Sequence, residues 1–368
     1  MMSVPLTVPS FLDRAAMLFP EKEVRTWSTH GLVRAGWATV RERAWSVAST
    51  LTELGLEPGD RVASLAWNHQ RHLELYFAVP AAGTVLLTIN ARLVHEQIVR
   101  ILRHAEARVV FVDPEFIPLV EEISSELPAL EVWVVLDEEA EGGWRAYEDL
   151  VARGDPAPPP PALDEDRAAA LCYTSGTTGD PKGVLYSHRA LVLHTLGICL
   201  PDGFGLGEAE VILPAVPMFH ANAWGLPFAA AMVGATLVLP GPRPGPERLV
   251  DLLVSEEVSF AAGVPTVWMD VLEILRARQQ TLLPGLRIHS GGAPTPPPGG
   301  LRHPSPGRHD GLVAQGAAPG PDQPGNAPPS RGGPGGGRRR SRGSPRRGNR
   351  WRARSPGALG DGRLLPEP

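Results

Sequence analysis

Between Tyr173 and Gly183 the chain reads Tyr-Thr-Ser-Gly-Thr-Thr-Gly-Asp-Pro-Lys-Gly, which puts three glycines, four aliphatic hydroxyls and a lysine within eleven residues. The apolar run Ala168-Ala169-Ala170-Leu171-Cys172 comes directly before it. A strand ending in such a loop aims backbone N–H groups, hydroxyls and one cation at a single point, which is the chemistry of a polyphosphate cradle. The glycines let the backbone approach a ligand closely, while Ser175, Thr177, Thr178 and Lys182 can meet phosphate oxygens. The order is not that of a Walker loop, and without Gly-x-Ser-x-Gly the serine is no hydrolase nucleophile. A flexible Gly/Thr turn is the plain alternative. Against it stands Lys182: the chain has only one other lysine, Lys22, and otherwise uses arginine. A compact charge on a flexible stem has been kept where a planar guanidinium is the habit.

Further along, Pro217-Met218-Phe219-His220-Ala221-Asn222-Ala223-Trp224 is an aromatic-rich segment ahead of an apolar helical stretch. A few polar groups among bulky rings describe a ligand pocket and a packed core equally well, and the segment alone leaves both open. Gly263-Val264-Pro265-Thr266 reads as a turn, and Ser290-Gly291-Gly292-Ala293-Pro294 as a Gly-Gly turn after a short strand. His95-Glu96 opens like a zinc-protease helix, but Val99 stands where the second histidine belongs, so that chemistry is excluded. His69, His72 and His104 read as surface or helix-flank residues. Cys172 and Cys199 make neither a disulfide framework nor a CxxC site.

The elements that must hold these residues alternate. Strands are expected at 61–67, 84–89, 108–112, 131–136, 184–186, 211–213, 236–239, 258–261 and 287–289. Helices are expected at 11–18, up to Leu54, 71–82, 94–105, 116–127, 188–200, 228–233 and 247–256. Ser10 reads as the cap of the first helix, Thr39 with Glu42 as a capping box for the second, and Ser187 as the cap of the helix at 188. Strands that are apolar throughout and separated by helices indicate an α/β fold of mostly parallel sheets covered on both faces. Residues 1–155 form a first α/β subdomain in this reading, 156–163 a Pro-rich linker, 164–295 a second α/β subdomain, and 296–368 a Gly/Pro/Arg-rich disordered tail.

The Tyr173–Gly183 stretch resembles the phosphate-loop signature of AMP-forming acyl-CoA synthetases, adenylate-forming enzymes that activate carboxylic acids with ATP. The resemblance runs from about Phe11 to Pro294 and implies the N-terminal domain fold of that family. It implies that Thr174, Ser175, Gly176, Thr177, Thr178, Gly179 and Lys182 hold the ATP phosphates, with Thr174 bearing on Mg²⁺. By the same resemblance His220, Trp224, Gly263, Pro265 and Thr266 line the acyl site, and Gly291, Gly292, Ala293 and Pro294 pack on adenine. The implied reaction joins a fatty acid to AMP with release of pyrophosphate, and coenzyme A then displaces AMP. ATP, Mg²⁺ and coenzyme A are the implied cofactors and co-substrates, and a medium or long acyl chain is the expected acid.

After Pro294 the family pattern stops. No Tyr-Gly-x-Thr-Glu segment, ribose-binding aspartate or adenylation lysine follows, and no lysine of any kind follows Lys182. From Pro296 onward the chain has thirteen arginines against four acids and no isoleucine, phenylalanine, tyrosine, methionine, threonine or lysine. Such a segment cannot bury enough apolar surface to offset its ordering entropy. A frame-shifted tail on a truncated, inactive or impaired synthetase is the expectation. The alternatives are a non-catalytic ATP- and acyl-binding remnant and a nucleic-acid-binding fusion through the Arg/Gly tail, and nucleic acid is the less favoured partner. A net charge of −5, no membrane-length apolar run, and Pro5, Pro9, Asp13 and Arg14 interrupting any leader point to a cytoplasmic protein, with a homodimer left open.

Overall fold

The computed structural model describes residues 4–28, 31–156, 163–174 and 182–292. In chain order these form α1 (Pro9–Leu18), β1 (Glu23–Ser28), β2 (Gly31–Gly36), α2 (Trp37–Glu53), β3 (Arg61–Leu65), α3 (Gln70–Ala81) and β4 (Val85–Thr88). Next come α4 (His95–Ala105), β5 (Ala107–Val112), α5 (Ile117–Ile123), β6 (Val132–Val135), β7 (Arg145–Ala146), α6 (Tyr147–Arg153), β8 (Ala168–Thr174) and β9 (Lys182–Ser187). The remainder is α7 (His188–Cys199), β10 (Val211–Pro214), α8 (Leu226–Val233), β11 (Thr236–Leu239), α9 (Pro246–Ser255), β12 (Phe260–Gly263), α10 (Pro265–Arg278) and β13 (Arg287–Ser290).

Among the described residues the strands make two sheets, ordered β13-β12-β10-β11-β1-β2 and β7-β6-β5-β3-β4-β8-β9. Every neighbouring pair is parallel except β1–β2 and β8–β9, so the expected α/β class of mostly parallel sheets is what the chain adopts. Pairing crosses the Pro-rich stretch in both directions: β1 lies against β11, and β8 against β4.

Side-chain alternation divides the core. Val62, Val109 and Phe111 face α2, α3 and α8, while Ala63, Val110 and Val112 face α4 and α5 on the other side of their sheet. Leu213, Val238 and Ala261 meet α9 and α10 on the outer face of the first sheet. The layers therefore run helix, sheet, helix, sheet, helix. Trp37, Trp45, Tyr76 and Phe228 are fully buried in the middle layer, each contributing about 2–3 kcal/mol of apolar burial. A carboxyl group buried there, that of Glu74, is answered by Arg43 Nε at 2.7 Å, Gln70 Nε2 at 2.8 Å and the Tyr147 hydroxyl at 2.7 Å, partners without which its burial would be costly.

Two expected caps are not made. Helix α1 starts at Pro9, whose missing N–H suits a first helical position, and Ser10 turns its hydroxyl back to Thr7 O at 2.5 Å. Helix α2 starts at Trp37, before Thr39 and Glu42, because the Trp37 N–H donates to Lys22 O at 3.0 Å and its indole to Ala235 O at 3.0 Å. Tertiary bonds set that start and override the capping-box pattern. Ser187 does cap α7, accepting from Ala190 N–H at 3.1 Å.

Candidate functional site

The C-terminal ends of the parallel strands in both sheets converge, and in open α/β sheets ligands bind outside such ends. Strand β8 delivers Thr174 to this edge, and β9 returns with Lys182 as its direct cross-strand partner. Thr174 and Lys182 are both exposed. Strands β8 and β9 are thus an antiparallel hairpin pair whose described ends are Thr174 and Lys182; Ser175, Gly176, Thr177, Thr178 and Gly179 lie outside the described residues. The hairpin's base is packed from within. Tyr173 faces Gly183, where a Cβ would come 3.1 Å from Leu171 Cδ1 and 3.2 Å from Tyr173 Cζ. The Tyr173 hydroxyl is paired with His104 Nδ1 at 2.6 Å, and its burial raises its pKa to about 12.

In the other sheet β10 ends at Pro214, and the chain continues as a wall. Ala215, Val216, Pro217, Phe219 and His220 line a cleft of about 190 Å³ with Asn90 and Arg92, which follow β4, and with Val264 and Val267 at the start of α10. His220 is exposed to this space. The next residues are unusual: Ala221, Asn222, Ala223, Trp224 and Gly225 have φ of 43°, 53°, 49°, 55° and 79°, a full turn in the left-handed region. Non-glycine residues there cost roughly 1–2 kcal/mol each, and strain of this kind persists only where packing over-determines it. Asn222, Ala223 and Gly225 are buried, and a Cβ on Gly225 would meet the His194 ring at 2.9 Å.

That turn joins three of the sequence candidates. The Trp224 indole covers Gly291, where an added Cβ would sit 3.0 Å from the ring, and meets His289 edge-on at 5.6 Å. Burial lowers the His289 pKa, which favours the neutral ring. The Gly291 N–H reaches Gly263 O at 3.3 Å. Gly263 closes β12, and a Cβ there would meet Trp268 Cζ2 at 2.8 Å. Pro265 and Thr266 are the first residues of α10, so the segment expected as a turn is a strand-to-helix junction; neither lines the cleft, whereas Val264 and Val267 do. Gly292, with φ of 88°, is exposed beside Val264. Ala293 and Pro294 lie outside the described residues.

A side-chain hydrogen bond joins the two walls. The Cys172 thiol, two residues before Thr174 on β8, donates to Asn222 Oδ1 at 3.3 Å, two residues after His220. Desolvation raises the Cys172 pKa and keeps the thiol protonated. Asn90, Arg92, Cys172 and Asn222 were missed as site residues; a polar Asn-x-Arg directly after an apolar strand was the available signal for the first two. His72 is a correction. Far from being a surface residue, it is fully buried, bonded to Trp67 O at 2.8 Å and Ser64 Oγ at 2.9 Å, and desolvation lowers its pKa to about 4.

Among the described residues no cluster of histidine, cysteine or carboxylate could cage a metal, and no helix is long and apolar enough to cross a membrane. The Thr174 hydroxyl, exposed at the hairpin's end, is the kind of single hard oxygen that suits Mg²⁺, an ion completed by phosphate and water and seldom by an all-protein cage.

Comparison with known proteins bears on this edge. Residues 12–300 match the family described as AMP-binding enzyme. The chain is 50% identical over 297 residues to a long-chain-fatty-acid–CoA ligase of Thermus thermophilus, covering 80% of this chain and 54% of that protein. It is 48% identical over 304 residues to a 3-methylmercaptopropionyl-CoA ligase of Ruegeria pomeroyi, covering 81% and 56%. The chain thus spans about half the length of the curated relatives it matches. Among solved structures, the N-terminal domain of FACL13 from Mycobacterium tuberculosis superposes with a TM-score of 0.69 at 25% identity, covering 79% of this chain and 71% of that one.

Proposed function

The chain belongs to the AMP-binding enzyme family, as an acyl-CoA ligase relative, and from that premise we propose that it binds ATP at the β8–β9 hairpin and a fatty acid against the 215–220 wall. The observation that carries this reading is the Cys172–Asn222 contact, because it packs the strand bearing Thr174 directly on the turn that follows His220. A carboxylate seated by His220 and a triphosphate seated by Thr174 and Lys182 then share one edge of the fold. Activation of the acid is attack of its carboxylate on the α-phosphate, releasing pyrophosphate, and the protein's task is to place the reactants and neutralise developing charge.

Each residue has a stated part. Lys182 and the hydroxyls and N–H groups of 174–179 hold the β- and γ-phosphates, with Thr174 offering an oxygen to Mg²⁺, which would screen phosphate charge. Trp224, Gly263 and the start of α10 at Pro265 and Thr266 back the acyl side, whose cleft Val264 and Val267 line directly, and Gly291 through Pro294 carry adenine. The apolar lining from Val216, Phe219, Val264 and Val267 favours an aliphatic acid over an amino acid. Transfer of the acyl group to coenzyme A completes the proposed reaction.

We further propose that the 368-residue chain on its own is impaired in turnover, because the resemblance assigns adenylation to a lysine and none follows Lys182. Calorimetric titration with ATP and with decanoate tests binding; failure of the folded chain to bind either one removes the functional reading. Fatty-acid-dependent ATP–pyrophosphate exchange tests turnover. Exchange at several turnovers per second would refute the impairment while leaving the binding reading intact.

A further inference from the structure

The loop joining β3 to α3 is tied down on both sides of one residue. Trp67 N–H donates to Asp113 Oδ2 at 2.9 Å, and His69 Nε2 pairs with Asp113 Oδ1 at 2.7 Å. His72 holds Trp67 O from below and donates its own N–H to His69 Nδ1 at 3.2 Å. Between these anchors Asn68, only 5% exposed, turns away from its own sheet and reaches the other one. Its Nδ2 donates to Pro214 O at 3.0 Å and Val216 O at 2.9 Å, and its Oδ1 accepts from Met218 N–H at 2.7 Å. Its backbone carbonyl accepts from Gly241 N–H at 3.0 Å, just past β11.

These bonds fall along the segment whose residues line the cleft. Ala215, Val216, Pro217, Phe219 and His220 face the cleft, whereas Asn68 does not line it and grips backbone groups of 214, 216 and 218. The Tyr76 hydroxyl adds a bond to Met218 O from the same side. A buried carboxamide with both N–H groups spent on carbonyls and its oxygen on an amide has one workable orientation. It transmits the position of one sheet to the wall carried by the other.

We propose that Asn68 is a positioning residue for the acyl-binding wall, holding the 214–220 backbone from behind so that His220 and its neighbours keep their place opposite the phosphate hairpin. This rests on the reading of that cleft as the acyl site. Asn68→Asp keeps the size and the acceptor for Met218 but removes both donors and sets a carboxylate against two carbonyl oxygens; Asn68→Ser is the milder variant. In whichever variant retains a cooperative melt, the decanoate Kd rises roughly tenfold, as small misplacements of a binding group do, while the ATP Kd stays within about twofold because the hairpin is tied elsewhere. Hydrogen–deuterium exchange at 214–220 quickens in the same variant without any ligand. A residue that only stabilises the fold would lower Tm and leave the ratio of the two Kd values unchanged, and that result overturns the proposal, as does unaltered exchange at 214–220. Loss of the cooperative melt in both variants places Asn68 in the fold itself and also overturns it. If the wild-type chain binds no fatty acid but the variant's 214–220 exchange quickens, the functional reading fails and the backbone clamp remains.

Discussion

The two walls of the site are held in opposite ways. The phosphate hairpin is local: Thr174 and Lys182 are register partners, and the strands beneath them are ladder-bonded neighbours. The acyl wall starts with bonds from Ala215 and Val216 N–H to Ala262 O on the next strand. Beyond them it is held from a distance, by Asn68 and Tyr76 from other elements and by a left-handed turn pinned by burial and by the Cys172 thiol. Changes in the hairpin should therefore alter ligand binding with little effect on stability, while changes around the wall should alter both.

Acid gives the largest expected effect. Burial lowers the pKa of His72, behind the wall, and of His188, at the start of the helix after the hairpin, from 6.5 to about 4. Between pH 6.5 and 4 the unfolded chain takes up protons that the folded chain refuses, so stability is complete above that window and falls as pH drops through it. At pH 5 the loss is about 2 kcal/mol per histidine, a large part of a typical domain's stability. Urea melts at pH 7 and pH 5 measure it. His72→Gln and His188→Gln should each flatten the pH slope by about half, and a slope unaffected by either variant would contradict the assignment.

Lys182→Ala is expected to weaken ATP binding by about 2 kcal/mol, the usual worth of a charge-assisted hydrogen bond. Because the side chain is exposed, Tm should hold steady; a large fall in Tm would erase the contrast between the walls. Gly263→Ala probes the opposite wall. Its Cβ would approach the rigid, buried Trp268 ring to 2.8 Å, so a destabilisation of about 2 kcal/mol is expected by thermal melt, with weaker decanoate binding. Gly183→Ala, which meets only side-chain atoms at 3.1 Å and beyond, should cost about 1 kcal/mol or less. The smallest effect is at Ala221, exposed with φ of 43°. Replacement by glycine relieves the left-handed strain against a greater unfolded-state entropy, for a net gain of about 0.5 kcal/mol, readable as a slight rise in Tm.

Much of the fold was legible because the relevant forces are short-ranged along the chain. Apolar runs such as Val109–Val112 and Thr236–Leu239 announce buried parallel strands, and β3 through β6 lie close to where those runs place them. The hairpin of β1 and β2 was missed. Its residues alternate with charges and tryptophan, and β2 is an edge strand with little apolar signal. Helix α2 misled for a related reason: a capping-box pattern at Thr39 and Glu42 lost to the longer-range bonds of Trp37. In the site, the hairpin could be read because its chemistry is contiguous. For Asn90 and Arg92 the polar Asn-x-Arg after an apolar strand marks a strand end, but nothing in that local pattern says that they share a cleft with His220 from the other sheet.

By itself, then, the sequence determined the α/β class, the strand that ends at Thr174 and the types of chemistry the Tyr173–Gly183 loop can perform. Periodicity, strand-end loops and residue type all act within a few residues of one another. The tertiary structure alone decided that β8 packs against the turn after His220, that Trp224 lies on Gly291, and that Asn68 holds the wall from the opposite sheet. Those relations join residues from tens to about 150 positions apart, and a buried polar group takes whichever partner the closed core leaves within reach.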